Sequence, residues 1–411
     1  MIVCKFGGTS VAGFCSAKNI KDIVLKNANC QFVVVSALGK SETEEKKVTD
    51  CLFEIFYAYK LGLDYCDKLQ NVFKRYENMA KKLKVDINFE KDKQLILSYL
   101  KHGVANKDFL VSRGEYLSAK LYAKFLGFTF LDAKDYIIFN KEGKINYKQT
   151  QTRFKKLPNQ KKFVIGGYYG GDINGNIITF ERGGSDITGA IIAKVLNAEV
   201  YENYTDVNGV FDKTPTLFTK AKSLPILNYK TAEFMADAGT EVVHKSAFKE
   251  LKNSRVILMV KNTNIPNAAG TILVNSDFCF SNLFICVNKV LVIYLSDISN
   301  SFNKIKSWTH IEKIIKLNTG YFIICKQVYV PKNKFSKLKD IIQTSNCVKI
   351  TMFSNIKITE FDLKIIKKIQ KKVKNMALFC DFLAKDNNFV IICQEQFKNK
   401  IVAIINKHLQ K

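Results

Sequence analysis

The chain has 411 residues, 47% of them hydrophobic and 25% charged, with five prolines and a net charge of +27. At about 100–200 residues per domain this length gives two or three domains of ordinary globular composition, which excludes collagen-like, mucin-like and disordered classes. No apolar run approaches the roughly 20 residues of a membrane span, and the start lacks the basic and apolar regions of a signal peptide, so a cytoplasmic protein is expected. The 11 cysteines form no C-x-x-C pair and no zinc-ligand spacing, and carry no assigned chemistry. The positive charge is nearly all lysine, whereas base and phosphate readout favours arginine's planar fork, so nucleic acid is an improbable partner.

In chain order, residues 1–275 alternate short apolar strands with helices, the pattern of a layered α/β domain. Strands are predicted at Ile2–Phe6, Phe32–Ser36, Phe128–Asp132, Lys162–Ile165, Ile177–Phe180, Glu199–Tyr204 and Val256–Val260. Residues 48–102 read as a helical excursion, and apolar residues every three or four positions predict helices over Glu115–Leu126 and Ile187–Leu196. Beyond residue 282 the segments shorten. Strands are expected at Val290–Leu295, Tyr321–Lys326, Val348–Phe353, Met376–Phe382 and Phe389–Cys393, with helices near Ile311–Lys316, Phe335–Thr344, Glu360–Lys374 and Gln396–His408. Two small α+β modules fit that spacing.

Four segments carry chemistry. Lys5-Phe6-Gly7-Gly8-Thr9-Ser10 follows a strand; its glycines let backbone N–H groups approach an anion and its lysine adds a point charge, although a Gly-Gly pair also makes a plain turn. Phe180-Glu181-Arg182-Gly183-Gly184-Ser185-Asp186 precedes a helix whose N-terminus attracts anions, while Ser185 or Asp186 would serve equally as an N-cap. Val111-Ser112-Arg113-Gly114-Glu115 is read as opening a helix. There Glu115 is either a first-turn acid complementing the helix dipole or, beside Arg182, the partner of an ammonium group. Glu202–Gly209 runs from a strand into an Asn-Gly turn, placing Thr205 and Asp206 either at a nucleotide or simply in the turn.

These motifs, with Val33–Ala37, Lys47–Asp50 and Gly239–His244, resemble the aspartokinases of the amino-acid kinase family over residues 1–275. The resemblance implies a three-layer α/β/α sandwich around a mostly parallel sheet over residues 1–275. It also implies two degenerate ACT-like regulatory or dimerisation modules, possibly interleaved, over residues 282–411. The implied reaction moves the γ-phosphoryl group of ATP to the β-carboxylate of L-aspartate, giving 4-phospho-L-aspartate, the first step towards lysine, threonine and methionine. By the same resemblance Lys5 and Asp186 are catalytic. Ser36, Thr49, Glu115, Arg182, Gly183 and Ser185 bind the amino acid. Lys5, Gly7, Gly8, Thr9, Ser10, Thr205, Asp206, Phe211 and Lys213 meet ATP. Mg²⁺ would ride on phosphate oxygens and water, with no protein ligand set of its own.

The chain departs from that pattern at Thr214-Pro215-Thr216, where an arginine is lost, at Glu241, which is lysine in some members, and at Gly167, a common proline. Lys213 is a candidate substitute for the lost arginine. Asp297–Ser301 and Ser354–Thr359 lack the glycine turns of effector sites, so the tail is expected to serve packing and homo-oligomer formation with weak or no effector response. A kinase of the same fold acting on glutamate or a nucleotide monophosphate, and a non-catalytic ligand-binding relative, remain alternatives. The Arg182/Glu115 pair favours an amino acid over a nucleotide.

Overall fold

The computed structural model describes residues 1–41, 44–180, 183–240, 243–276, 283–295, 302, 305–306, 311–317, 320–326, 341–354, 360–383 and 388–409. The chain divides into two compact units. The first comprises Met1–Val210, Ser223–Ala236 and Glu241–Phe278; the second comprises Phe211–Lys222, Asp237–Thr240 and Cys279–Lys411.

In the first unit the strands are β1 (Ile2–Phe6), β2 (Cys30–Val35), β3 (Thr129–Leu131), β4 (Phe163–Gly166), β5 (Tyr169–Gly171), β6 (Ile177–Thr179), β7 (Val200–Thr205), β8 (Ile226–Asn228), β9 (Ile257–Asn262) and β10 (Thr271–Val274). Eight of them make one sheet in the order β3-β4-β2-β1-β7-β9-β10-β8, and β5 and β6 pair as a separate hairpin. All pairings from β3 to β9 are parallel; only β10 runs against β9. Stretches such as Phe32–Val35 of β2 read as unbroken apolar runs because helices cover both sheet faces, as parallel sheets require. Side chains alternate across the pleat. Cys4 and Phe6 enter the core built with Val11, Val48, Leu117 and Tyr122, whereas Lys5 points to the opposite layer and the helix Gly184–Val195. The first unit is thus the expected three-layer sandwich.

The order of the sheet also places the site. The chain moves from β1 to β2 on one side and later returns to β7 on the other, so successive connections part above the carboxyl end of β1. Open α/β sheets bind ligands at such a reversal.

In the second unit, β11 (Leu283–Leu295), β12 (Ile311–Leu317), β13 (Gly320–Lys326), β14 (Ile341–Ser354), β15 (Ala377–Leu383) and β16 (Asn388–Gln394) form one antiparallel sheet in the order β12-β13-β11-β14-β16-β15. Each half of the tail supplies three strands, joined through the long β11–β14 pairing. Ile350, Ile369, Phe389, Ile391 and Ile401 pack the helices Glu360–Val373 and Lys398–Leu409 onto this sheet, giving the ACT-like α+β architecture.

Two predicted elements are corrected. Ile311–Lys316, expected as a helix, is a strand: its backbone pairs antiparallel with β13 across a short connection, and that pairing overrides a helix-like spacing of isoleucines and lysines. Of the helix expected at Phe335–Thr344, residues 335–340 lie outside the described residues, and Ile341–Thr344 belong to β14. Asp297–Ser301 also lies outside them, as does all of Ser354–Thr359 except Ser354.

Candidate active site

The carboxyl ends of β1, β2, β4, β7 and β9 deliver Gly7, Ser36, Gly167, Thr205 and Thr263 to one edge of the sheet. The Gly7 N–H donates to the Tyr204 carbonyl at 3.2 Å and the Ser36 N–H to the Phe6 carbonyl at 3.2 Å. These bonds carry the sheet one step beyond the strands before the helix Gly8–Ala12 begins. Gly39 N–H then donates to the Gly8 carbonyl at 2.9 Å. The two backbones touch so closely that a methyl group on Gly39 would stand 2.5 Å from the Gly8 carbonyl carbon. Only glycine permits this crossing. Ser10 is buried and shares a 2.8 Å hydrogen bond with Thr263, which commits its hydroxyl to the scaffold, while Thr9 stays exposed.

Beneath this loop lies a closed polar cluster. Lys5 Nζ is 2.6 Å from Asp186 Oδ1 and donates to Asn203 Oδ1 at 3.3 Å. Asn203 Nδ2 donates to Asp186 Oδ1 at 3.0 Å, and the His244 backbone N–H donates to Asp186 Oδ2 at 2.8 Å. Lys5, Asp186 and Asn203 are all buried. Burial, the largest influence on Asp186, pushes its carboxyl upward. The adjacent Lys5 ammonium, with the His244 and Asn203 donors, outweighs it and holds the group below the usual carboxylate range. Asp186 sits in the first turn of Gly184–Val195, where the helix dipole also favours its negative form. Gly183, at the N-cap, has φ +78°, and a Cβ there would collide with the His244 ring. Tyr168, beside Gly184, is held at φ 75°, a strained value for a bulky residue and common at ligand sites.

The other end of the site is built by the helix Lys107–Leu126. Val111–Glu115 does not open this helix, contrary to the reading of the sequence. Asn106 caps it by accepting from the Phe109 N–H, so Glu115 is its ninth residue and not a first-turn acid. At Gly114 the helix rests on the loop after β2, where a Cβ would stand 2.7 Å from that of Ala37. The same loop bonds to the start of Val48–Lys60 through the Val48 N–H and the Leu38 carbonyl at 2.9 Å. Ser36, Thr49 and Glu115 are thereby gathered on elements that touch one another. Glu115 is buried, and among the described residues its Oε2 has no hydrogen-bond partner. Desolvation lifts this carboxyl to about 8, with the Ala37 backbone N–H only partly offsetting the effect. A buried, unsatisfied carboxyl oxygen costs about 1–3 kcal/mol, a cost an incoming ammonium would remove. Ser185 is buried against Gly167, at the end of β4.

The remaining expected residues divide. Thr205 donates its hydroxyl to Asp206 at 3.1 Å, and Asp206 is exposed at the carboxyl end of β7. Arg182 and Glu241 lie outside the described residues. Phe211 and Lys213 belong to the second compact unit, where Lys213 Nζ is 3.7 Å from Asp212. Asn203, Gly39, Thr263 and the His244 N–H are not singled out by the sequence. Register could have found Asn203, which stands directly opposite Lys5 in the β1–β7 pairing. Among the described residues, no three His, Cys, Asp or Glu side chains stand together as a metal site.

A strand-end lysine paired to a helix-first-turn aspartate lies under two crossing glycine loops at the carboxyl edge of a parallel α/β sheet. The family model "Amino acid kinase family" matches residues 1–262, and the chain belongs to that family. Among individual proteins it is similar to aspartokinase 3 of Bacillus subtilis, 30% identical over 289 residues, covering 67% of this chain and 64% of the relative. It is also similar to the lysine-sensitive aspartokinase 3 of Escherichia coli, 28% identical over 300 residues, with 67% and 64% covered. The chain thus spans less than two thirds of these relatives' own length. The structure of Clostridium acetobutylicum aspartate kinase superposes with a TM-score of 0.76 at 25% identity, covering 99% of this chain and 100% of that one. That of E. coli aspartokinase III in complex with aspartate and ADP shares the fold, with a TM-score of 0.75 at 19% identity and 100% of both chains covered.

Proposed function

We propose that the protein is an aspartate kinase, transferring the γ-phosphoryl group of ATP to the β-carboxylate of L-aspartate. The observation that carries this reading is the presence of two unlike groups in the first compact unit. Lys5 is a buried cation already held by Asp186 and Asn203, and Glu115 is a buried carboxyl with an oxygen left unpaired among the described residues. The first suits a migrating phosphoryl group and the second suits the ammonium of an amino acid.

The acceptor carboxylate is ionised at neutral pH and needs no general base, so the work falls to positioning and charge. Gly7, Gly8, Thr9 and Ser10 would present the loop to the phosphates, with Lys5 neutralising charge that develops during transfer and Asp186 orienting Lys5. Glu115 would bind the α-ammonium and Arg182 the α-carboxylate. Ser36, Thr49, Gly183 and Ser185 would line the amino acid. Thr205, Asp206, Phe211 and Lys213 are assigned to the nucleotide. ATP is assigned to the loop at the Gly8–Gly39 crossing, whose backbone a Cβ on Gly39 would displace. Mg²⁺ would be carried by the phosphate oxygens and water and supplies charge neutralisation when bound. We assign the 282–411 region to homo-oligomer formation with little effector response, and the product to lysine, threonine and methionine synthesis in the cytoplasm.

The test is ATP-dependent trapping of the acyl phosphate by hydroxylamine across a panel of amino acids. L-aspartate is expected to give hydroxamate, with glutamate far behind. A preference for glutamate, or ADP binding with no hydroxamate from any acceptor, would overturn the reading.

A further inference from the structure

We infer that Asn203 is a positioning residue that aims the Lys5 ammonium at the transferred phosphoryl group. The inference rests on the reading of Lys5 as the group that meets the terminal phosphate of ATP.

An ammonium carries three donors and no acceptor. Among the described residues, Lys5 Nζ directs one to Asp186 and one to Asn203. The third remains, and the ammonium lies beside Gly7, where a built Cβ would stand 3.6 Å from Nζ. An ion pair with Asp186 alone would let the ammonium slide between the two carboxylate oxygens. Two contacts prevent this. The His244 N–H occupies Oδ2, and Asn203 pins both partners at Oδ1 by accepting from Nζ and donating to the carboxylate. An amide does both at once through separate atoms; an apolar side chain does neither, and a carboxylate would only accept.

The residue is itself held rigidly. Asn203 has no solvent exposure and stands opposite Lys5 in the parallel register of β1 and β7. The Tyr201 hydroxyl, donating to the Asp186 carbonyl at 3.1 Å, lies 3.4 Å from the Asn203 amide nitrogen. A catalytic charge supported in this way needs no reorganisation at the moment of transfer.

The variant Asn203→Leu keeps the branched outline and heavy-atom count of the side chain and removes both bonds. ATP and ADP affinities are measured by calorimetry without acceptor, alongside thermal stability and, with L-aspartate, kcat and KM. The expected result is a ratio of ATP to ADP affinity reduced about tenfold, the scale of one charge-assisted hydrogen bond, with the KM for L-aspartate changed less than about twofold. An unchanged ratio, even with lowered thermal stability, would make Asn203 merely structural and overturn the inference. Should Asn203→Leu fail to fold, Asn203→Ser enters the same comparison, where a ratio lowered by about threefold or more supports the inference and an unchanged one overturns it. Because the ratio is read without acceptor, a wild-type protein that fails to phosphorylate L-aspartate would sink the aspartate reading while leaving this test decisive.

Discussion

The two ends of the site hold buried acids in opposite conditions. At the end proposed for phosphate, Asp186 is surrounded by the Lys5 ammonium, the Asn203 amide and the His244 N–H, and stays ionised despite burial. At the end proposed for the amino acid, Glu115 is equally buried, lacks a partner for Oε2 among the described residues, and rises to about 8. The difference teaches what each end awaits. A cation already balanced by its own carboxylate can receive an anion without a change of protonation. A carboxyl kept neutral by its surroundings becomes charged when a cation arrives.

The largest effect should follow from breaking the satisfied end. Lys5→Met removes the preorganised charge and is expected to lower kcat by about 10²–10³-fold. It also strands Asp186 as an unpaired buried charge, a loss of about 3–5 kcal/mol. Adding Asp186→Asn should recover most of the melting temperature in calorimetry but none of the turnover. Recovery of turnover by the double variant would show that the pair serves only stability.

Next comes the unsatisfied end. Glu115→Gln should raise the KM for L-aspartate by about 10–100-fold, the loss of one charged hydrogen bond, and leave the KM for ATP within about twofold. Stability should respond in the other direction. The folded-state value of Glu115 lies above its unfolded value, so its contribution is full below about 4.5 and is lost as pH rises through about 8. Denaturation between about pH 5 and 8 should therefore show the wild type losing stability that the Gln variant keeps. A parallel pair of curves would mean that Glu115 is already ionised in the empty protein.

The smallest effect sharpens the comparison at the loop between the two ends. Gly39→Ala would place a methyl 2.7 Å from the Gly8 oxygen and the Thr9 nitrogen. Displacing that backbone is expected to weaken ATP about three- to tenfold in a binding titration, a cost of about 1 kcal/mol, typical of overpacking. Unaltered ATP affinity would separate the crossing from the phosphate site.

Much of this is legible from residue order. Alternating apolar runs mark the strands of the parallel sheet, and Lys5 and Asp186, each beside a Gly-Gly pair, mark the end proposed for phosphate. The supports around them are not legible, because they arise from pairing between segments far apart in the chain. Asn203 gains its role only through the β1–β7 register, Gly39 through its approach to Gly8, and Thr263 through Ser10. Glu115 stands out in the sequence, but Ser112 and Gly114 imitate a helix start. The true cap is Asn106, which opens the helix at Lys107 and buries Glu115 in its middle. In the tail, Ile311–Leu317 is decided by its hairpin partner and not by local spacing.

The most direct test of the contrast between the ends is calorimetry of L-aspartate binding near neutral pH in two buffers of different ionisation enthalpy. The account predicts release of close to one proton on binding, abolished in Glu115→Gln, as the ammonium draws Glu115 from its neutral to its charged form. Binding of L-aspartate with no proton released by the wild type would contradict it.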